Sequence, residues 1–168
     1  MAGALILTAE LGQEDFARLD ALRREHYPAD RNAVPAHLTL FHALPPSAEA
    51  EARTRLAGLT LAPAPIAWIE GLLDLGGGVA FRVASEDLDS IRIQLADAFH
   101  GLLGAQDGRG WRPHITIQNK VAPKVARSLR EDLERGFVRR PLAIRGLGLH
   151  RYLGGPWETL SLYPFRGR

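Results

Sequence analysis

The sequence contains no cysteine and no long hydrophobic run, and both absences exclude classes of protein. Without cysteine among its 168 residues, the chain has no disulfide bond, thiolate nucleophile or cysteine-based zinc site. No stretch approaches the roughly 20 apolar residues that cross a bilayer. The N-terminal segment lacks a basic region and its apolar run is short, so no signal peptide is predicted. We therefore expect a cytoplasmic protein that has no association with membranes.

Lysine is also scarce, and charge is distributed unevenly along the chain. Arginine outnumbers lysine by 19 to 2. Residues 1–81 carry six basic and ten acidic side chains, whereas residues 82–168 carry fifteen basic and nine acidic ones. A basic second half is compatible with an anionic substrate such as a nucleotide or RNA. Genome composition can produce the same bias toward arginine, so the charge alone does not identify a ligand.

A pattern of histidine, aliphatic residue, threonine and aliphatic residue occurs twice in the chain. The first copy spans residues 37–40 (His-Leu-Thr-Leu) and the second spans residues 114–117 (His-Ile-Thr-Ile). Both copies follow a proline closely and are rich in the residues that favour strands. Because side chains alternate between the faces of a strand, each copy presents its histidine and threonine together and turns its aliphatic pair to the core.

Chance explains the repetition poorly, and the residue types suggest chemistry. In a chain of this composition, one such match is expected roughly 0.05 times. Two histidines with adjacent hydroxyl groups are what acid–base chemistry on a phosphate requires. Histidine titrates near pH 6.5, so a neutral and a protonated copy can coexist at about neutral pH. The candidate catalytic residues are therefore His37 and His114, and the alternative is an old duplication whose histidines are only structural.

The predicted elements around the two motifs repeat in the same order. Each half runs strand, helix, motif strand, helix, strand, and the repeats span approximately residues 1–75 and 78–168. We therefore predict a single domain over residues 1–168 with a duplicated, bilobal α+β fold. Two antiparallel sheets would face a central cleft, with helices on their outer faces and a pseudo-two-fold axis between the lobes. The two histidine–threonine pairs would then approach each other across that cleft.

Paired motifs of this kind, one in each half of a duplicated α+β chain, resemble those of the two-histidine phosphoesterases. That group includes the 2′-5′ RNA ligase-like proteins and the RNA 2′,3′-cyclic phosphodiesterases. The resemblance covers nearly the whole chain in element order, and its specificity rests on the two tetrads at residues 37–40 and 114–117.

The resemblance implies hydrolysis of a 2′,3′-cyclic phosphate at an RNA end or in a small nucleotide, with 2′-5′ ligation as a further activity. One histidine would act as general base on water and the other as general acid on the leaving ribose oxygen, and the residues do not say which. The hydroxyl groups of Thr39 and Thr116 would hold phosphate oxygens. No metal or cofactor is implied, and we expect a monomer.

Four further residues are candidates for substrate binding. Gln118 and Lys120 lie an even number of residues after His114 and Thr116 of the second motif. Side-chain alternation along a strand therefore allows either residue to face the cleft. Arg112 precedes that motif and either reaches the phosphate or remains a surface arginine. Tyr152 lies near the end of a predicted strand, where it either lines the mouth of the cleft or belongs to the core.

Other histidines and a tryptophan are interpreted as structural. His42 has the parity of the aliphatic residues of the first motif, so it is predicted to point away from the cleft. His26, His100 and His150 have no partner at the spacing of metal ligands, so no metal site is predicted. Trp111 either stacks on a base or packs on its own lobe.

Two other functions compete with catalysis. The first is a nucleotide- or RNA-binding module with little or no turnover, and the second is a duplicated scaffold whose cleft binds another protein. Both histidines are intact, and this favours an enzyme, because a binding module needs only hydrogen-bond donors and arginine or lysine would serve.

Overall fold

The chain folds as two repeats of strand, helix, motif strand, helix and strand, followed by one extra strand. The structure, a computed structural model, describes residues 3–168. Within that part of the chain, no helix is long and apolar enough to cross a membrane. The predicted α+β class and the repeated element order are confirmed. The elements, in chain order, are β1 (Leu5–Leu11), α1 (Gln13–His26), β2 (Leu38–Leu44), a short 3-10 helix (Pro46–Ala48), α2 (Glu49–Leu59), β3 (Ile66–Asp74), β4 (Val79–Ala84), α3 (Glu86–Ala98), β5 (His114–Gln118), α4 (Pro123–Arg135), β6 (Arg140–Tyr152) and β7 (Trp157–Pro164).

The strands form one connected antiparallel sheet in which the two repeats exchange their third strands. The order is β2-β1-β6-β3-β4-β5, and β7 pairs with β6. Strand β3 of the first repeat pairs with β4 of the second, whereas β6 of the second repeat pairs with β1 of the first. Each half of the sheet therefore contains strands from both repeats, so the sequence repeats 1–75 and 78–168 do not coincide with separate halves of the sheet.

Both motif strands lie at the ends of the sheet. Among residues 3–168, strand β2 pairs only with β1 and β5 pairs only with β4, so within this part of the chain each motif strand has one free edge. The two strands are nevertheless in contact, although they are the most distant members of the strand order. The sheet therefore curls until its two ends meet, and the curl brings the two motifs together.

The motif strands are anchored by their aliphatic side chains, as their alternation predicts. Leu38, Leu40, Ile115 and Ile117 are fully buried in the core. Helix α1 packs against β5, α3 and α4 pack against β3, and α2 packs against β6 and β7. The aliphatic half of each motif thus fixes the strand, and the histidine–threonine half is left for the opposite face.

Two buried arginines connect each repeat to the motif strand of the other. Arg23 on α1 and Arg92 on α3 are only 3% and 7% exposed. Arg23 Nη1 donates to the carbonyl oxygen of Thr116 at 3.0 Å. Arg92 Nε donates to the carbonyl oxygen of Leu40 at 2.7 Å. Because an edge strand has no second strand to satisfy its backbone groups, these guanidinium groups provide the missing partners.

Each of these guanidinium groups also lies over an aromatic ring. The Arg23 group is 4.3 Å from the ring centroid of Tyr27, and the Arg92 group is 3.9 Å from that of Phe41. Burial lowers the pKa of both arginines from the ordinary value. Carbonyl acceptors and ring faces therefore replace the carboxylate partners that buried cations usually require.

We predict that Arg92→Met lowers the free energy of unfolding by about 2–4 kcal/mol, because the carbonyl groups of Leu40 and Asp107 lose their charged donor. Arg92→Lys should lose nearly as much, since one ammonium group does not reproduce the guanidinium fork. The measurement is urea denaturation at constant pH. The matched control is Arg55→Met on the exposed side of α2, which should change stability by less than about 0.5 kcal/mol. An unchanged midpoint for Arg92→Met would contradict the proposed link.

Candidate functional site

A cavity of about 280 Å³ opens where the two ends of the sheet meet. His37, Thr39, His114 and Thr116 all line it, so the structure brings together the four residues that the motifs singled out. Most of the remaining lining residues come from the loop before β5. They are Ile6, His42, Arg92, Gln106, Asp107, Arg109, Gly110, Trp111, Arg112 and Trp157.

The two motif histidines are held in the same way. His37 Nδ1 lies 2.9 Å from the carbonyl oxygen of Pro35, and His114 Nδ1 lies 2.7 Å from that of Arg112. In both cases the carbonyl belongs to the residue two positions earlier in the chain. Because a carbonyl oxygen only accepts, Nδ1 carries a proton in both rings and Nε2 is left for a ligand. Each histidine can therefore accept a proton at Nε2 or, once protonated there, donate one.

The surroundings of His37 keep its ring neutral. The ring packs edge-on against Trp157, with the ring centroids 4.6 Å apart and the ring planes at 62°. Burial lowers the pKa of His37 to about 4; the hydrogen bond to Pro35 opposes this shift, while the nearby Arg23, His42 and His114 add to it. Near neutral pH, His37 therefore has a free lone pair at Nε2. A bound phosphate anion would oppose this effect by stabilising the protonated ring.

The side chain of Arg112 also lines the cavity, and its carbonyl oxygen orients His114. Arg112 both lines the cavity and is exposed, so its contact with a phosphate stays a prediction. No group of three histidine, aspartate or glutamate side chains within residues 3–168 is placed to hold a metal ion.

Gln118 does not line the cavity, although regular side-chain alternation along β5 would place it on the same face as His114 and Thr116. It is 3% exposed, and its Oε1 has no hydrogen-bond partner within the described residues. The reason is an irregular register between β5 and β4. Ala80 pairs with Thr116 and its neighbour Val79 pairs with Gln118, so β5 has one extra residue at this point. Such a β-bulge breaks the alternation of faces that the parity argument assumes.

Lys120 and Tyr152 also lie outside the cavity. Lys120 follows the end of β5, is exposed, and has a positive φ of 63° in the turn after the strand. Tyr152 is half-buried at the end of β6, and its backbone N–H donates to the carbonyl oxygen of Ala4. Neither residue is among those that line the cavity.

His42 lines the cavity, so the prediction that it points away from the cleft is wrong. A second bulge is the cause. Adjacent β1 residues Leu7 and Thr8 pair with Phe41 and Thr39, which are two positions apart on β2. The extra residue reverses the alternation, so that Phe41 enters the core and His42 turns toward the cleft.

Two tryptophans complete the cleft walls. The indole N–H of Trp111 donates to the carbonyl oxygen of Thr39 at 3.1 Å, so this residue packs across the cleft on the other repeat. Trp157 was not a sequence candidate, because it belongs to no motif and begins strand β7. Its pairing with Tyr152 of β6 places it beside the first motif, and only the sheet topology reveals that position.

Solved structures of other proteins have the same fold. TT0787 of Thermus thermophilus has a TM-score of 0.67 and 19% sequence identity, over 98% of this chain and 99% of that chain. E. coli LigT complexed with 3′-AMP has a TM-score of 0.61 and 17% identity, over 98% and 99% of the two chains. E. coli LigT complexed with NADP+ has a TM-score of 0.59 and 18% identity, over 99% of each chain. At such low sequence identity, the structural similarity establishes a shared fold and nothing about function.

A family relationship is established by the sequence itself. No curated protein matches the chain. The family model described as the 2′-5′ RNA ligase superfamily matches residues 11–156, a range that contains both motifs and most of the sheet. The resemblance to the two-histidine phosphoesterases is confirmed at this level. The chain belongs to the 2′-5′ RNA ligase superfamily.

Proposed function

We propose that this protein is a phosphodiesterase that hydrolyses 2′,3′-cyclic phosphates of RNA ends or nucleotides with His37 and His114 as its acid–base pair. The observation that carries the proposal is the matched presentation of the two histidines from facing edge strands, each with Nδ1 bound to a carbonyl oxygen. Membership in a superfamily of phosphodiester chemistry supports it. So do the structures of LigT with 3′-AMP and with ATP, because they place nucleotides on the same fold.

Opening a cyclic phosphate requires proton transfer on both sides of the phosphorus atom. Water attacks from one side while the ribose oxygen leaves on the other. The base removes a proton from water as the new P–O bond forms, and the acid gives a proton to the ribose oxygen as the old bond breaks. The product is a phosphomonoester and a free ribose hydroxyl. Two histidines on facing strands can flank the phosphate in this way.

The threonines would bind the phosphate. The neutral state of the His37 ring indicates which histidine acts as the base and which as the acid. Thr39 and Thr116 lie beside the two histidines in the cavity, where their hydroxyl groups would donate to non-bridging oxygens. The lowered pKa of His37 supports it as the base in hydrolysis, which leaves His114 as the acid. Ligation through a 2′-5′ bond would be the same displacement with a 5′-hydroxyl group in place of water, so the two histidines would keep these roles.

We predict that His37→Ala and His114→Ala each lower kcat by about 10²–10⁴-fold, the usual contribution of a positioned acid or base. The assay is hydrolysis of nucleoside 2′,3′-cyclic monophosphates and of a short RNA with a 2′,3′-cyclic end, in excess EDTA between about pH 5 and 9. The control is His100→Ala, an exposed histidine outside the cavity, which should retain wild-type turnover. A folded His37→Ala or His114→Ala variant with wild-type kcat would overturn the mechanism. Saturable nucleotide binding without turnover in the wild type would instead indicate a binding module.

We predict that Thr39→Ala and Thr116→Ala weaken binding of a nucleoside monophosphate by about 1–3 kcal/mol each, because each removes one donor to the phosphate. Thr39→Ser and Thr116→Ser are the matched controls and should bind nearly as well as the wild type, since they retain the hydroxyl group. Isothermal titration calorimetry measures both sets. Equal affinity in the alanine and serine variants would show that the hydroxyl groups do not contact phosphate.

We predict that stability falls as the pH is lowered from about 6.5 to about 4, and that His37 causes part of the loss. The pKa of His37 is about 4 in the folded protein, against the ordinary value of 6.5 in the unfolded chain, so the unfolded chain binds this proton more readily. The contribution of His37 to stability is fully present above pH 6.5 and is lost as the pH falls toward about 4. His37→Gln should flatten this part of the curve, whereas His100→Gln should not. Parallel curves for the wild type and His37→Gln would contradict the lowered pKa.

A further inference from the structure

The two motifs are nearly symmetric, but the cleft around them is not. Position 42 on β2 corresponds to position 119 on the other side, when the offset of 77 residues between the motifs is applied, and these positions hold histidine and asparagine. His42 lines the cavity, whereas Asn119 does not. A symmetric pair of histidines makes the same contacts on both sides of a phosphate. The residues that distinguish one end of the substrate from the other must therefore be ones that differ between the repeats, such as those at positions 42 and 119.

His42 is held by a buried carboxylate. Its Nδ1 lies 3.1 Å from Oδ1 of Asp107, a residue in the loop before β5 that is 3% exposed. The backbone N–H groups of His42 and Ala43 donate to the same carboxylate at 2.8 and 2.9 Å. Burial raises the pKa of Asp107, but these hydrogen bonds outweigh it and keep the carboxyl group ionised. The ring is therefore fixed at Nδ1, and its Nε2 is left for a ligand in the cavity.

The loop that supplies Asp107 is itself fixed to the first repeat. Arg92 Nη2 donates to the carbonyl oxygen of Asp107 at 2.8 Å, while Nε of the same side chain binds Leu40 on β2. Trp111 in the same loop binds Thr39. The Arg92 bridge and the Trp111 hydrogen bond therefore hold this loop against the first motif strand, so the groups that it carries keep their place in the cavity wall.

This part of the cavity is positively charged. Arg109 and Arg112 on the loop line the cavity, are exposed, and have no carboxylate within ion-pair distance among residues 3–168. The one acidic side chain in the lining is Asp107, and its oxygens are occupied by His42 and Ala43. Free arginines provide the donors that a second phosphate group requires, and His42, whose Nδ1 proton is directed at Asp107, adds a donor at Nε2 when its ring is protonated.

We propose that His42, fixed by Asp107, forms with Arg109 and Arg112 a second phosphate subsite next to the two-histidine centre. The inference rests on the proposed function and narrows its substrate class. The preferred substrate carries a further phosphate beyond the one that reacts. That phosphate is either the internal phosphodiester of an oligonucleotide or the 5′-phosphate of a small nucleotide, because both present the same oxygens.

Binding tests the subsite without turnover. Calorimetry compares adenosine 3′-monophosphate with adenosine 3′,5′-bisphosphate and with a diadenosine that carries a 3′-terminal phosphate. The wild type should bind at least one of the two larger probes about 10- to 100-fold more tightly than the monophosphate. His42→Ala should reduce that ratio to about one, while His100→Ala should retain it. A gain for the diadenosine alone identifies an oligonucleotide, and a gain for the bisphosphate alone identifies a small nucleotide.

Kinetics then separates recognition from a purely structural role. The ratio of kcat/KM for the diadenosine 2′,3′-cyclic phosphate to that for adenosine 2′,3′-cyclic phosphate should fall about 10-fold or more in His42→Ala. If His42 had only a structural role, its loss would lower kcat/KM for both substrates by the same factor and leave the ratio unchanged. That result would overturn the proposal. Equal binding of all three probes by the wild type would overturn it as well. If no cyclic phosphate is hydrolysed but the binding ratio holds, the proposed function fails and the subsite stands.

Discussion

The structure depends on two edge strands being held against each other by charged side chains from the opposite repeat. An edge strand exposes unpaired backbone groups, and a protein must cover or satisfy them. Here Arg23 and Arg92 satisfy the carbonyl groups of the two motif strands from inside the core. A buried guanidinium is costly unless its donors are used, so these contacts tolerate few alternative positions of the strands. The fold thereby places two short motifs, far apart in sequence, on one cavity.

Symmetry explains why two histidines are present, and departures from it explain how they can differ. The rings of His37 and His114 are held by the same backbone contact in both repeats. Only the first is packed against Trp157, and burial lowers its pKa. On one side alone, Asp107 in the loop before β5 holds a third histidine, His42 of β2, in the cavity wall. A duplicated frame thus provides the proposed acid–base pair, and the asymmetric residues around it provide the different environments that an asymmetric substrate would need.

The sequence predicts the fold class, the element order and the four motif residues because these follow from periodicity within single strands. It fails for His42 and Gln118 because a β-bulge in each motif strand inserts one residue and reverses the alternation beyond it. The exchange of β3 and β6 is equally hidden, since strand pairing depends on distant partners. Arg23 had a local signal, being four residues after the buried Leu19 on α1. Asp107 had none, because its role comes from a loop contact across the repeats.

The most direct test of the central claim is the turnover of a 2′,3′-cyclic phosphate by the wild type, His37→Ala, His114→Ala and the double variant under one set of conditions. If the two histidines act on the same phosphate in one step, loss of either removes the concerted proton transfer. The double variant should then be about as slow as the single variants, because groups that act as a unit are strongly non-additive. Fully additive losses, with the double variant slower by the product of the two factors, would show that the histidines act independently and would contradict the two-histidine site.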